Sequence, residues 1–167
     1  AYGKALRPPR INCPSGPEGN DAQPWPTLVE NMTMAARALA DIDVQLVVEP
    51  INRNDVPGAV ISNVEQALAL FEKVDSDNIA IQYDLWHSLR AGEDPFSVLK
   101  SHMDRIAHIQ IADVPGRHQP GTGEVDFEKL FTLIDNSGYQ GWISLEYHPQ
   151  GGTQESFAAL RRMGILG

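Results

Sequence analysis

The sequence contains a single cysteine, Cys13, among 167 residues. One thiol can form neither an internal disulfide nor a cysteine-rich zinc site, so a metal in this protein would rest on oxygen and imidazole ligands. Apolar runs long enough to cross a membrane are absent, and the first ten residues lack the apolar stretch of a signal peptide. We therefore expect a cytoplasmic protein with no membrane partner.

Basic residues are also few. Lys and Arg number 13 against 22 Asp and Glu, which gives a formal net charge of −9. Proteins that bind nucleic acids neutralise phosphates with clustered basic side chains, and no such cluster occurs in this sequence. A content of 42% hydrophobic and 21% charged residues is typical of a globular domain with a buried core. The composition excludes disorder of the whole chain and argues against a nucleic-acid partner.

Short apolar runs rich in β-branched residues alternate with longer amphipathic segments. This alternation indicates βα units that form a parallel sheet. The five predicted strands are residues 10–13, 45–50, 78–84, 106–113 and 141–147, and the predicted helices are residues 1–6, 27–39, 64–74, 95–103, 126–137 and 153–162. The strands follow one another at intervals of about 33 residues, the spacing of a (β/α)8 barrel.

The length of the chain does not suffice for a whole barrel. Eight βα units need about 250 residues, and this sequence of 167 residues supplies five strands. We therefore predict an α/β fold in one domain, residues 1–167, that corresponds to the C-terminal part of a TIM barrel, about strands 4 to 8, without the N-terminal βα units. The alternative is a complete open sheet, which would leave two parallel edge strands bare.

Four consecutive predicted strands end on or near a polar residue that a buried parallel strand would not otherwise carry: Glu49, Asp84, Gln110 and Glu146. In a parallel barrel the carboxyl ends of the strands converge, so these side chains are expected to share one space. Three carboxylates so close together need a counter-charge. All-oxygen ligation is what Mg²⁺ or Mn²⁺ prefers, and we predict one divalent cation bound by these four residues.

The segments VVEPIN, IQYDLWH, HIQIADVPGRHQPGTGEVDF and GYQGWISLEYHP resemble the hydroxypyruvate isomerase family. That family lies within the xylose-isomerase-like TIM barrels, which also include 2-oxo-tetronate isomerases and tagatose 3-epimerases. The resemblance covers about residues 11–161 and starts at the family's fourth strand. It implies that Glu49 and Glu146 are the acid and base of catalysis as well as metal ligands, with Asp84 and Gln110 completing the metal site.

The resemblance also implies contacts with the substrate. His87 matches a histidine that contacts the substrate, and Arg117 and His118 lie in a loop that reaches it. Isomerisation of hydroxypyruvate to tartronate semialdehyde requires removal of a weakly acidic carbon proton and stabilisation of a cis-enediolate. One glutamate would take the proton and the other would return it at the neighbouring carbon. Arg117 is the cation best placed to pair with the carboxylate of such a hydroxy-keto acid.

Several other functions stay open from the sequence. A 2-oxo-tetronate isomerase is one alternative, and a keto-sugar 3-epimerase is another, although Gln110 in place of His argues against it. An endonuclease of the same architecture would need more histidine ligands and a basic groove. The non-enzyme alternative is a truncated half-barrel that folds, or forms a homo-oligomer through its exposed edge strands, without catalysis.

Two further residues of the strands receive no role in catalysis. We interpret His108, which alternates out of step with Gln110 along the strand, as a structural or surface residue. Cys13 ends the first predicted strand, and because no neighbouring base would activate its thiol, we interpret it as an inert buried residue.

Overall fold

The computed structural model describes residues 2–166. Its five strands form one parallel sheet in which spatial order follows chain order. They are β1 (Arg10–Asn12), β2 (Gln45–Val48), β3 (Ile79–Asp84), β4 (Ile106–Ile111) and β5 (Trp142–Leu145). A parallel sheet whose order never reverses is typical of a barrel and not of a doubly wound fold. The prediction of a partial TIM barrel is confirmed, since the sheet is a five-stranded half-barrel.

Eight helices are described within residues 2–166: α1 (Tyr2–Leu6), α2 (Pro24–Ala40), α3 (Val64–Phe71), α4 (Leu85–Arg90), α5 (Pro95–His102), α6 (Phe127–Asn136), α7 (Thr153–Ser156) and α8 (Ala158–Arg162). Their starts are encoded locally, because the side chains of Asn63, Asp94 and Asp126 accept a backbone N–H in the first turn of α3, α5 and α6. No helix in this part of the chain is long and apolar enough to span a membrane.

Three details of the predicted helices are wrong. The helix predicted from residue 27 begins at Pro24, because proline is favoured in the first turn of a helix. The helix predicted over residues 153–162 is divided into α7 and α8 at Phe157. Helix α4 was not predicted; it follows β3 directly, and an Asp84 oxygen accepts the backbone N–H of Trp86 to cap it. The prediction for residue 1 lies outside the described residues.

The outer face of the sheet packs against the helices and forms the hydrophobic core. Val48, Ile81, Ile109 and Ile111 on the strands are at most 1% exposed, and they belong to the same buried cluster as Leu70 of α3 and Phe127 of α6. Burial on this scale contributes roughly 1.5–3 kcal/mol for each large aliphatic side chain. Cys13, which follows β1, also packs against this cluster, and burial raises the pKa of its thiol.

The inner face of the sheet is polar. Gln82 pairs in register with His108, Asp84 with Gln110, and Gln110 with Ser144. The interpretation of His108 as out of step with Gln110 is wrong, because residues two apart on a strand point to the same face. His108 lies on the inner face with Gln110, and its Nε2 lies 2.9 Å from Ser144 Oγ.

Candidate active site

The carboxyl edge of the half-barrel brings together the four polar residues predicted to bind a metal. Gln82 donates its amide protons to Glu49 Oε2 at 2.9 Å and to Gln110 Oε1 at 2.6 Å. Gln110 in turn donates to Glu146 Oε2 at 2.7 Å. A continuous chain of hydrogen bonds therefore runs across the strands from Glu49 to Glu146, and Asp84 lies in register beside Gln110.

Two residues of this site were missed from the sequence. Gln82 is the link between Glu49 and Gln110, and Asn12 at the end of β1 donates its amide proton to Glu49. The signal for Gln82 was its position two residues before Asp84, which places both on the inner face. Asn12 could have been found as the polar end of the first strand, equivalent in position to the four residues that were identified.

Glu49, Asp84 and His87 form the tightest group of potential metal ligands among the described residues. One atom of each lies within 4.8 Å of the other two. His87 comes from the first turn of α4, and its Nε2 lies 3.6 Å from Asp84 Oδ2 and 3.9 Å from Glu49 Oε1. Helix α4 is thus the element that brings a histidine to the carboxylates.

Burial controls the charges of this group. Glu49 is 7% exposed and Asp84 2% exposed. Loss of solvation raises the pKa of Glu49, and it raises the pKa of Asp84 to about 7 although the Arg117 guanidinium opposes the shift. Burial, assisted by Arg117, lowers the pKa of His87 to about 4. The site thus contains two buried carboxyl groups that are costly to ionise, beside a neutral imidazole. A divalent cation fits this arrangement, because its charge would favour the ionised carboxylates.

Arg117 lies against the carboxylates. Its guanidinium donates to Asp84 Oδ2 at 3.0 Å, lies 3.2 Å from Glu146 Oε2 and stands 5.8 Å from the centre of the Trp86 ring. The residue has a left-handed backbone with φ of 54°. His118, predicted to reach the substrate from the same loop, directs Nδ1 to the carbonyl oxygen of His148 at 2.7 Å.

The loop that carries Arg117 is organised by Asp113, a residue that the sequence analysis did not single out. Asp113 is 1% exposed, and its two oxygens accept five backbone N–H groups, those of Val114, Gly121, Thr122, Gly123 and Val125. The backbone also comes so close to itself that a Cβ at Gly123 would lie 1.8 Å from the Val114 oxygen. The sequence signal was an aspartate at the end of an apolar strand, followed by a loop rich in Pro and Gly.

Fold and site together define a TIM-barrel protein with a carboxylate-rich site, suited to a divalent cation, at the carboxyl ends of its strands. A family model described as "Xylose isomerase-like TIM barrel" matches residues 1–163. The chain belongs to this family.

The chain is also similar in sequence to two isomerases over most of its length. The chain is 42% identical to hydroxypyruvate isomerase of Escherichia coli (strain K12) over 165 residues, which cover 97% of this chain and 63% of that protein. It is 38% identical to 2-oxo-tetronate isomerase of Cupriavidus necator over 135 residues, which cover 81% of this chain and 52% of that protein. The chain therefore spans less than two thirds of these relatives, and the resemblance noted from the sequence is confirmed.

Solved structures agree on the fold. The crystal structure of an AP endonuclease, family 2, from Brucella melitensis superimposes with a TM-score of 0.90 and 32% sequence identity, covering 96% of this chain and 63% of that one. The 3-keto-D-glucoside 4-epimerase of Escherichia coli has a TM-score of 0.81 with 20% identity, covering 93% of this chain and 64% of that one. The second similarity concerns the fold alone.

Proposed function

We propose that this chain carries the active site of a metal-dependent isomerase that interconverts hydroxypyruvate and tartronate semialdehyde. The observation that carries the proposal is the pair of buried carboxyl groups of Glu49 and Asp84, each with an oxygen within 4.8 Å of the other, at the end of the hydrogen-bond chain to Glu146. The 42% identity to the hydroxypyruvate isomerase of E. coli supports the choice of substrate.

Glu49, Asp84, Gln110 and Glu146 would hold one Mg²⁺ or Mn²⁺ in this proposal. Their donor atoms are carboxylate and amide oxygens, the ligands that these ions prefer. A bound divalent cation supplies positive charge that acidifies the carbon proton next to a carbonyl and stabilises the enediolate.

Glu49 is the proposed base. Its Oε2 already accepts hydrogen bonds from Asn12 and Gln82, so Oε1 is the oxygen left to receive a proton. Glu146 takes the complementary role: its Oε2 accepts from Gln110 and faces Arg117, which leaves its other oxygen to return the proton at the neighbouring carbon.

Arg117, His87 and His118 are the proposed contacts with the substrate. The Arg117 guanidinium is planar and able to pair with a carboxylate through two parallel hydrogen bonds, which suits the acid group of hydroxypyruvate. His87 Nε2 faces the space between Glu49 and Asp84. His118 belongs to the same loop as Arg117; its Nδ1 is held by the His148 carbonyl, which leaves Nε2 for a contact with the substrate.

The test is proton NMR of hydroxypyruvate in D₂O with the protein and Mg²⁺. We expect deuterium uptake at the hydroxymethyl carbon and formation of tartronate semialdehyde, both lost on addition of EDTA. Glu49→Gln and Glu146→Gln are each expected to slow exchange at least about a hundredfold, the usual contribution of an acid or base. Glu128→Gln, which changes an exposed glutamate of α6, is the matched control and should keep the wild-type rate. Exchange that persists in both site variants would refute the assigned roles.

A second candidate substrate is 2-oxo-tetronate. The 38% identity to the 2-oxo-tetronate isomerase of C. necator favours it, and the chemistry at the reacting carbons is the same. The two substrates differ in length, so the discriminating measurement is kcat/KM for each on the same preparation. A higher value for 2-oxo-tetronate would replace hydroxypyruvate as the substrate and leave the roles of the two glutamates unchanged.

Endonuclease chemistry is disfavoured despite the structural match to an AP endonuclease. DNA binding depends on basic side chains that neutralise phosphates, and the net charge here is −9. Arg117, the cation inside the site, is paired with Asp84 and Glu146.

A further inference from the structure

Asn52 lies three residues after Glu49 and is completely buried, with 0% exposure. Its side-chain oxygen accepts the backbone N–H groups of Asn54 and Asp55, each at 3.0 Å. An amide nitrogen has no lone pair with which to accept these two protons. The two donors therefore fix the orientation of the Asn52 amide.

The amide nitrogen of Asn52 then faces two acceptors. It lies 3.0 Å from Asp55 Oδ2 and 2.7 Å from His87 Nδ1. The two amide protons are matched by these two partners, so His87 Nδ1 must accept a hydrogen bond. In a neutral imidazole one nitrogen donates and the other accepts. The proton of the ring is consequently on Nε2.

A direct pair between Asp55 and His87 is the competing arrangement, and it would place the proton on Nδ1. The distance from His87 Nδ1 to Asp55 Oδ2 is 3.7 Å, beyond hydrogen-bond length. A proton on Nδ1 would also meet an amide proton of Asn52 across 2.7 Å. Asp55 has other partners, since Trp86 Nε1 donates to it at 2.7 Å and Arg90 lies 3.3 Å away.

We infer that Asn52 is a positioning residue that holds His87 as the Nε2–H tautomer, so that His87 presents a proton donor, and not a lone pair, to the carboxylate cluster. Nε2 faces Asp84 Oδ2 at 3.6 Å and Glu49 Oε1 at 3.9 Å, so the donor is directed at carboxylate oxygens. A protonated Nε2 is no metal ligand, and both carboxylate distances exceed hydrogen-bond length, so the Nε2 proton is left to donate to an oxygen of a bound molecule. The inference concerns the protein without substrate and stands whether or not the proposed isomerase activity is found.

The test is NMR of uniformly ¹⁵N-labelled protein, with long-range ¹H–¹⁵N correlations that separate protonated from unprotonated ring nitrogens. The five histidines are distinguished by comparison with His87→Gln. At neutral pH we expect His87 Nδ1 in the unprotonated range and Nε2 in the protonated range. A proton on Nδ1, alone or together with one on Nε2, would overturn the inference without any variant. Loss of the Nε2 proton on addition of Mg²⁺ would overturn it as well.

Variants separate the positioning role from general support of the fold. Asn52→Asp replaces the donor to Nδ1 by an acceptor, so we expect His87 Nδ1 to become protonated. Asn54→Asp makes the same chemical change at an exposed residue two positions away and should leave the His87 signals unchanged. An Asn52→Asp protein whose backbone amide spectrum matches the wild type but whose Nδ1 stays unprotonated contradicts the inference. If this variant does not fold, the wild-type spectrum alone decides.

Discussion

At the scale of single residues, the charge of the site depends on the balance between its carboxylates and the guanidinium of Arg117. Arg117 contacts Asp84 and Glu146 at 3.0 and 3.2 Å, and its charge is the one cation of the described residues that touches two carboxylates of the site. The raised pKa values of Glu49 and Asp84 indicate that this charge does not compensate fully for burial. Both the pH dependence of stability and the affinity for a metal should follow from this imbalance.

The first prediction concerns pH. The pKa of Asp84 is about 7 in the folded protein and about 3.9 in an unfolded chain. The folded state therefore binds more protons between these values, so the stability due to Asp84 is complete below about pH 4 and is lost as the pH rises to 7. His87, whose pKa falls from 6.5 to about 4, acts in the opposite direction over much of this range. Comparison with the Asp84→Asn variant isolates the contribution of Asp84 to the pH dependence of stability.

In EDTA, the wild type should lose stability relative to Asp84→Asn from about pH 4 to 7, and the two profiles should run parallel above pH 7. Urea unfolding at each pH gives the free energies. The exposed Asp104→Asn is the matched control for loss of one carboxylate. Parallel profiles for wild type and Asp84→Asn over the whole range would show that Asp84 does not titrate as described.

The second prediction concerns Arg117 and metal affinity. Arg117→Met keeps much of the packing on Trp86 but removes a positive charge next to Asp84 and Glu146. Coulomb repulsion of a bound cation then falls by roughly 1–3 kcal/mol after solvent screening, so Mn²⁺ should bind about 5- to 150-fold more tightly. Electron paramagnetic resonance of free Mn²⁺ during a titration measures this.

Lys129→Met is the control for the second prediction, because it also replaces a basic residue that lies over an aromatic ring. Lys129 is on α6, and its ammonium lies 4.4 Å from the centre of the Phe96 ring on α5. It should leave Mn²⁺ affinity unchanged. An Arg117→Met protein with unchanged or weaker affinity would mean that the cation does not bind beside Asp84 and Glu146.

At the scale of elements, a register shift in the pairing of β3 with β4 decides which side chains lie next to each other. Ile81 pairs with Ile106, yet Gln82 pairs with His108, so one residue of β4 is passed over. This irregularity lets Ile106 join the hydrophobic core while His108 and Gln110 lie on the polar inner face. A shift of one residue reverses the face of every side chain that follows, so the alignment of Asp84 with Gln110 depends on it.

The third prediction concerns the loop between β4 and α6, which brings Arg117 to the site. Asp113→Ala removes the acceptor of five backbone N–H groups from a buried position. We expect a loss of roughly 3 kcal/mol or more in the free energy of unfolding. Hydrogen exchange should rise in residues 114–125 and stay unchanged in α3.

Asp126→Ala is the control for the third prediction. It removes the single bond that Asp126 accepts from the Lys129 N–H at the start of α6, and it should cost about 1 kcal/mol. Equal losses for the two variants would mean that Asp113 acts as an ordinary cap and does not organise the loop.

At the scale of the whole molecule, the half-barrel exposes the part of its inner face that lies on β5 and the edge of β5 that faces away from β4. Trp142 is 74% exposed on the inner face, and Leu145 of the same strand is 37% exposed. An exposed parallel edge strand with apolar side chains tends to pair with another chain.

The fourth prediction follows from this exposure. The 167-residue chain should associate with itself as its concentration rises, and Trp142→Lys should weaken the association, because a charge on an edge strand opposes pairing. Size-exclusion chromatography with light scattering measures the mass. Met34→Lys adds the same charge at an exposed methionine of α2 and should have no effect. A monomer at all concentrations would exclude association through this edge.

Much of the fold could be predicted from the sequence, since it is encoded locally. Short apolar runs rich in β-branched residues predicted all five strands, and the predicted helix starts at residues 64 and 95 are those of α3 and α5. Helix α4 was the exception, because its start depends on Asp84 acting both as the end of a strand and as a cap.

Glu49, Asp84, Gln110 and Glu146 could be identified because the carboxyl ends of parallel strands lie at one edge whatever the details of packing. The contacts among them could not, since they join residues more than 25 positions apart, as Gln82 with Gln110 or Arg117 with Asp84. Such pairs depend on strand register, on the bulge in β4 and on a loop held by Asp113. The sequence alone thus determined the strands and the edge at which the site lies; the tertiary structure decided the partners of each side chain, because hydrogen-bond geometry is set by segments distant in the chain.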